Sequence, residues 1–398
     1  MSGPTVRRRP LTLSVTLVAL LAAGNLAHAA DFASTIRVHG LLDLAWHSTG
    51  KAIEANQFVP GDTPFSPYRL RLYFDGQASP SVQVFVQTMF TEAAGARIDG
   101  AYAIVTPWLD KDLHLMAGKI AWPIGTWAPR TYSDKNPLIG TPLLYQYHTS
   151  LRWDDIPADI DRLLAAAGSG ASGPDYGHGA YAPGMPVVDD YGWDAGVALQ
   201  GSVRPIEFAL GVTQSAPGWA SPGEDANRGA SVLGRIGFAP MPELRVGVSG
   251  ARGAYLPRGF EPLLPKGKDE RDYPQDLVLA DLDMERGPFE LHAEAADNNW
   301  KTPTVGTLNV KTGYAEARWT FGAGWWLASR AETMRFGKVT GTAGTFTWDE
   351  NIDRVETGAG YRVSRNVLAK AVWQHKVVHE RQGNERFELY GAQMSIRF

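Results

Sequence analysis

The chain has no cysteine among its 398 residues, and this absence excludes several kinds of chemistry. No disulfide braces the fold, although an exported protein is free to form one. Thiol catalysis, cysteine-ligated zinc and covalently attached c-type haem are excluded for the same reason. Nucleophile-elbow, phosphate-loop and dinucleotide motifs are also lacking. We therefore expect a protein that is not an enzyme, has no cofactor or metal, and is held together by backbone pairing and packing.

An excess of basic residues is lacking too. Residues 1–29 have the features of a cleavable signal peptide: an arginine triplet at 7–9, an apolar stretch at 11–23 and a small-x-small site at 27–29. Its removal takes three of the 38 basic residues and none of the 42 acidic ones, which leaves a net charge of −7. Nucleic acid is excluded as a partner, because phosphate binding needs a basic patch.

Long apolar runs are absent as well. A membrane-spanning helix needs ~20 consecutive apolar residues, and no segment of the chain approaches that length. The C-terminus instead alternates, with Tyr390, Ala392, Met394, Ile396 and Phe398 apolar and the residues between them mostly polar. An exported chain with this ending indicates a bacterial outer-membrane β-barrel, because only a closed barrel pairs its backbone in lipid without helices. We take Tyr390, Met394, Ile396 and Phe398 as the signal for the barrel-assembly machinery.

The same period-two pattern recurs sixteen times from Ser34 onward. The gaps between the segments are short and long in turn, as expected for periplasmic turns and external loops. We predict an all-β fold, a transmembrane antiparallel β-barrel of about 16 strands formed by residues 30–398. The predicted strands are 34–46, 67–78, 82–92, 97–107, 112–121, 189–201, 204–215, 229–240, 243–255, 274–285, 288–298, 308–321, 324–336, 351–363, 367–380 and 385–398.

Charged residues within these strands should face the lumen, because a charge on the lipid face costs ~2–4 kcal/mol at mid-bilayer. So many charges predict a water-filled channel rather than a dry barrel. The expected lumen residues are Arg69, Arg71, Glu290, Glu294, Arg318, Arg330, Glu332, Arg354, Glu356 and Lys370. Tryptophans near strand ends are expected in the aromatic girdles at the lipid–water interface. These are Trp46, Trp108, Trp122, Trp193, Trp300 and Trp325.

The connection at 122–188 is too long for a plain loop, and loops of this length are usually functional or disordered. A Gly-Lys-x-x-x-Pro-x-Gly stretch at 118–125 leads into it. Here, over residues 118–142, the chain resembles the phosphate-selective porin O and P family, in which such a stretch ends the strand before the third external loop. The resemblance implies that loop 122–188 folds into the lumen and narrows it. It also implies a homotrimer, because porins of this shape are often trimeric.

Residues 154–167 suit a short helix on this loop, with Asp155 as its cap and Pro157 in its first turn. Acids on the loop would face bases on the early barrel wall, and their transverse field would set ion selectivity. The predicted pore-lining residues are Arg37, Arg69, Arg71, Lys119, Arg130, Lys135, Asp154, Asp155, Asp159, Asp161, Arg318 and Arg354. This mixture of signs argues against strong phosphate selectivity, which needs rings of arginine and lysine.

Two functions fit these features. The first is a porin for passive diffusion of small hydrophilic or anionic solutes. The alternative is a scaffold barrel that sheathes a partner, such as a multihaem cytochrome in an extracellular electron conduit. Because the chain has no Cys-x-x-Cys-His motif, any haem would belong to that partner.

Overall fold

The computed structural model describes residues 36–48, 69–91, 95–107, 112–152, 155–170, 184–189, 192–218, 229–381 and 383–398. The predicted signal peptide, Trp108 and Asp154 lie outside the described residues. The strands are β1 (Arg37–His47), β2 (Arg69–Ser79), β3 (Val82–Thr91), β4 (Gly95–Val105), β5 (Leu113–Ala121), β6 (Trp193–Val203), β7 (Ile206–Thr213), β8 (Ser231–Met241), β9 (Leu244–Ala254), β10 (Pro274–Arg286), β11 (Phe289–Lys301), β12 (Thr307–Phe321), β13 (Trp325–Phe336), β14 (Lys338–Gly341), β15 (Gly344–Thr347), β16 (Asn351–Ser364), β17 (Val367–Glu380) and β18 (Gly383–Arg397).

Sixteen of these strands form one closed antiparallel barrel in which neighbours in sequence are neighbours in space. The ring closes where β1 pairs with β18, with Leu42 opposite Ile396. The predicted fold and strand number are confirmed. The remaining two strands, β14 and β15, form a separate hairpin within the predicted connection 337–350.

The two ends of the barrel differ in their connections. At one end, called the turn end here, strands are joined by tight turns such as Arg286–Phe289 between β10 and β11. At the other, the loop end, lie the long connections 122–192, 214–230, 255–273 and 337–350. In outer-membrane barrels the short turns are periplasmic and the long loops extracellular, which orients this barrel.

The strands divide into an inner and an outer face as the alternation predicted. All twelve residues of β13 alternate between exposed and buried, with Trp325, Leu327 and Ala331 outside and Arg330 and Glu332 inside. On the inner faces the charged residues expected in the lumen are indeed present. Most of them are buried rather than hydrated: Arg330 and Glu356 are 0% exposed. The expectation of an open, water-filled lumen around them is therefore wrong.

The described parts of segment 122–188, residues 122–152, 155–170 and 184–188, pack against the inner side of the barrel wall. They contain a 3₁₀ turn (Ala128–Thr131), helix α1 (Leu143–Gln146) and helix α2 (Ile160–Ala165). Apolar residues of the segment pack in one buried cluster with residues near the loop end. These include Trp300 of β11 and, in the connections between strands, Tyr255 and Trp348. None of the helices in the described residues is long and apolar enough to cross a membrane.

Helix α2 is shorter than the predicted helix at 154–167, and its cap is Asp159 rather than Asp155. The Asp159 carboxylate accepts from the Arg162 amide at 2.8 Å. The residues before it are held elsewhere, because the Thr304 hydroxyl donates to the Pro157 carbonyl at 2.6 Å. That tertiary contact fixes residue 157 outside the helix.

The C-terminal residue takes part in closing the barrel. Phe398 and Gly40 exchange two backbone hydrogen bonds, of 2.8 and 3.0 Å. The Phe398 ring lies over Gly40, where a Cβ atom would come within 2.1 Å of it. An aromatic ring that covers a strand glycine stabilises the strand pair. Phe398, the predicted assembly residue, therefore also stabilises the seam, the β1–β18 pairing that closes the barrel.

Candidate functional site

Two positions near the end of β5 need glycine, one within the strand and one just after it. Gly118 has a φ of +127°, and a Cβ there would lie 2.3 Å from the Ala101 carbonyl oxygen. Gly125 has a φ of +60°, and a Cβ there would lie 2.4 Å from a Glu294 carboxylate oxygen. Both positions therefore require glycine. They are the first and last residues of the Gly-Lys-x-x-x-Pro-x-Gly stretch, which gives that pattern a structural reason.

Arg330, on the inner face of β13, is the centre of the contacts that hold the inserted segment. Its guanidinium donates to Glu316 at 3.1 Å, to Glu332 at 2.9 Å and to Glu356 at 2.8 Å. It also donates to the Gly140 carbonyl of the segment at 2.8 Å. A fully buried guanidinium is tolerated because these acceptors replace its hydration.

Neighbouring wall residues bind the backbone of the same stretch. The Lys370 ammonium donates to the carbonyls of Ser133, Asn136 and Leu138 at 2.8–3.0 Å. Glu356 accepts from the amides of Ile139 and Gly140 at 3.1 and 2.8 Å. These charged groups substitute for the hydrogen bonds that irregular backbone inside a barrel lacks.

Three further wall groups extend the attachment to either side. Glu332 accepts from the Leu143 amide at 2.6 Å, at the start of α1. Arg354 binds Glu332 at 2.9 Å and also donates to the Thr141 carbonyl. Glu294 on β11 accepts from the Thr126 amide and the Tyr145 hydroxyl, both at 2.6 Å. The described stretch 126–145 is therefore bound to inner-face groups of β11–β13, β16 and β17.

The early-wall arginines Arg69 and Arg71 face the lumen from β2 and are 4% and 2% exposed. Arg69 binds Asp43 of β1 at 3.1 Å, and Arg71 lies 3.9 Å from the same carboxylate. The Asp43 carboxylate also accepts from the hydroxyl of Ser133 on the inserted segment. Arg71 packs against the Tyr132 ring, with its guanidinium carbon 5.3 Å from the ring centroid.

The loop acids have other partners than the expected wall cations. Among the described residues, Asp155 pairs with Arg162 of its own loop at 3.3 Å. Asp159 caps α2, and Asp161 accepts from the Thr342 amide at the β14–β15 turn at 2.8 Å. They face the loop-end hairpin because α2 packs there, so the structure does not bring them opposite the early-wall cations.

The other predicted pore-lining residues lie at several depths. Arg37 is exposed at the start of β1, and Lys135 is exposed on the inserted segment. Lys119 donates to the Ile98 carbonyl on β4 at 2.6 Å. Arg130 pairs with Glu316 and is buried. Arg318 pairs with Glu290 near the turn end, where its side chain stays 30% exposed.

Three of the tryptophans expected in the girdles face the interior of the barrel, and one of them, Trp193, lines the cavity described below. Trp122 is 4% exposed and Trp300 is 0% exposed, both in the buried cluster. Trp46 and Trp325 keep 37% and 46% exposure on the outer face, as expected there. Position near a strand end does not fix the side on which a ring lies, and the inserted segment offers an apolar alternative to lipid.

A cavity of about 220 Å³ remains between the inserted segment and the wall formed by β2–β4 and the start of β6. Aromatic rings of Trp122, Trp127, Tyr132 and Trp193 line it, together with Arg71 and Asp99. The Tyr132 hydroxyl donates to Gln87 at 2.7 Å, which fixes the ring beside Arg71. Sequence patterns missed this group, because it needs the register of the β3–β4 pair to bring Gln87 to Asp99 and the packing of the inserted segment to add Tyr132.

Neither a protein-family model nor a curated protein sequence matches this chain. Solved structures do. Salmonella typhi OmpF in complex with daunomycin superposes with a TM-score of 0.57 and 10% identity, over 91% of this chain and 97% of that one. The anion-selective porin from Comamonas acidovorans gives 0.53 and 10%, over 92% and 99%. The trimer form of in-vitro folded OmpT from Vibrio cholerae gives the same values.

At identities of 10% this likeness concerns the fold. The fold is that of a bacterial outer-membrane β-barrel of the 16-strand porin type. The finer resemblance to the phosphate-selective O and P family is not supported by a matching family model.

Proposed function

We propose that this protein is an outer-membrane porin through which small hydrophilic or anionic solutes diffuse passively, past the inserted segment 122–188. The observation that carries this proposal is the anchored segment itself. A barrel with a purely structural role in the membrane would not need an internal loop. Here Arg330, Arg354 and Lys370 bind such a loop. A cavity lies between the segment and the β2–β4 wall, and the buried Arg71 guanidinium contributes a positive charge to its lining.

The sheath for a multihaem cytochrome is not favoured by any contact among the described residues. A partner inside the barrel would have to displace the segment, which binds β1, β11–β13, β16 and β17 through buried charged groups. A homotrimer remains part of the proposal, supported by the trimer form of the Vibrio cholerae OmpT structure. Its test is the mass of the detergent-extracted protein, and a monomer in mild detergent would contradict it.

Single-channel recording in planar bilayers tests the proposal directly. We expect stepwise KCl conductance and, under a KCl gradient, a reversal potential that indicates preference for chloride. A variant in which a short Gly-Ser linker replaces residues 126–187 should conduct more, because the anchored segment narrows the lumen. A folded barrel that shows no ion current, with or without the segment, would contradict the proposal.

A further inference from the structure

The cavity against the β2–β4 wall contains hydrogen-bond donors that lack acceptors. Arg71 is 2% exposed, yet its Nε and Nη1 atoms have no hydrogen-bond partner among the described residues. The indole Nε1 atoms of Trp122 and Trp127, both buried, have none there either. All three side chains line the same cavity. Buried polar groups are nearly always paired, so four unpaired donor atoms on three side chains around one cavity point to a ligand that supplies acceptors.

The nearest carboxylates cannot fill this role, because other groups already occupy them. Asp43 is bound by Arg69 and by the Ser133 hydroxyl, and its distance of 3.9 Å from Arg71 is too long for a hydrogen bond. Asp99 accepts from Gln87 at 3.1 Å and from Arg97 at 2.7 Å. The Arg71 guanidinium therefore keeps donors available for a molecule that enters the cavity.

The walls indicate the rest of the ligand. Rings of Trp122, Trp127, Tyr132 and Trp193 surround a volume of about 220 Å³, which suits a flat apolar body of modest size. Asp99 and Asp189 also line the cavity, so its charge favours a monoanion over a multiply charged anion such as phosphate.

We propose that this cavity binds a small organic monocarboxylate with a planar apolar body. Its carboxylate accepts hydrogen bonds from Arg71, an indole N–H of Trp122 or Trp127 adds a further donor, and the body packs between the aromatic rings. The site lies beside the passage of the proposed porin and gives it a preferred solute class. The inference thus rests on the proposed function for its biological role, while binding itself can be measured independently.

Benzoate is the probe. Inorganic phosphate is the comparison that has negative charge but no apolar ring, and benzyl alcohol is the comparison that has the ring but no charge. Calorimetry on the refolded full-length barrel should show saturable binding of benzoate and much weaker binding of the other two. Arg71→Gln should lower benzoate affinity at least about tenfold, the effect of losing one charge-assisted hydrogen bond. Trp127→Phe, which keeps an aromatic ring there but removes the N–H, should lower affinity less.

Arg235→Gln is the matched control. Arg235 is also a lumen arginine, but it is paired with Asp281 at 2.6 Å and does not line the cavity. This variant should bind benzoate as the wild type does. If Arg71→Gln fails to fold, the Trp122→Phe and Trp127→Phe pair still tests the indole donors.

Three outcomes would overturn the inference: no saturable benzoate binding, equal loss in Arg235→Gln and Arg71→Gln, or phosphate binding as tight as benzoate. The same protein in planar bilayers separates the two proposals. Normal KCl current with no block by benzoate and no calorimetric binding would contradict the binding site and leave the porin proposal standing. Benzoate binding to a barrel that carries no current would leave the site and remove the porin.

Discussion

Removal of the Arg330 guanidinium should release the inserted segment from the barrel wall. Arg330→Gln deletes donors to Glu316, Glu332 and Glu356 and to the Gly140 carbonyl. Afterwards Glu316 keeps Arg130 and Glu332 keeps Arg354, whereas Glu356 keeps the backbone amides of Ile139 and Gly140. The buried carboxylates therefore lose their shared cation while the segment still covers them.

The magnitude follows from the burial of the cluster, in which Arg330 and Glu356 are 0% exposed. Removing one partner of a buried ion pair costs about 3–5 kcal/mol. When the segment detaches, water reaches the carboxylates and hydrates them. The cost of leaving them without Arg330 therefore destabilises only the attached state. The equilibrium between attached and detached segment should shift by roughly a hundred- to a few-thousand-fold. The barrel itself should persist, because its backbone ladder does not depend on Arg330.

The assay is single-channel conductance together with limited proteolysis of the segment. Arg330→Gln should conduct more than the wild type and should be cut within residues 126–170, while its heat-modifiable migration in gels stays that of a folded barrel. Arg318→Gln is the matched control, because Arg318 has one carboxylate partner among the described residues, Glu290, and its side chain is 30% exposed. Such a pair contributes ~0–1 kcal/mol, so the control should behave like the wild type. Unchanged conductance and protease resistance in Arg330→Gln would refute the reasoning.

Two further predictions concern the loop end and the seam. Asp349, between β15 and β16, accepts from the amides of Ser150 and Gly168, and burial raises its pKa to about 6. Burial and the nearby Asp349, Glu380 and Glu385 raise the pKa of Glu350 to about 7, against a lowering effect of Lys376. Both carboxyls bind protons more tightly when the segment is attached, so attachment should strengthen as pH falls from 8 to 5 and weaken as it rises. Conductance should therefore decrease as the pH is lowered from 8 to 5. The Glu350→Gln variant should show a smaller change near pH 7. A conductance that does not depend on pH would contradict the linkage. At the seam, Gly40→Leu should cost about 1–3 kcal/mol by displacing the Phe398 ring and lower the yield of refolded barrel, whereas adding Phe398→Ala should restore part of that yield. An equal loss in the single and double variants would show that the clash is not with Phe398.

Much of the barrel could be predicted from the chain because its rule is local. A residue inside a spanning strand meets lipid on one face only, so alternation alone assigned Trp325 to the outside and Arg330 to the inside. The same rule placed the final strand up to Phe398. It could not find β14 and β15, because that hairpin faces the inserted segment rather than lipid.

The site depended on contacts that no local pattern contains. The sequence predicted that Arg71, Arg330 and Lys370 face the lumen, but not that a backbone segment some two hundred residues away would bury Arg330 and Lys370. Asp155, Asp159 and Asp161 were expected opposite the wall cations. That expectation used only the sign of each charge and its position along the chain. Their partners are decided by where α2 packs, which is set by Thr304, Thr342 and their neighbours.

The sequence by itself determined that the chain crosses a membrane as a closed sheet of sixteen strands, because lipid requires backbone pairing and one apolar face. It also determined that segment 122–188 is exceptional in length. Only the tertiary structure decided what fills the lumen, because that depends on which carbonyls, amides and rings meet the inner wall. It made a dry, ion-paired anchor on one side of the segment and left a cavity with unpaired donors on the other.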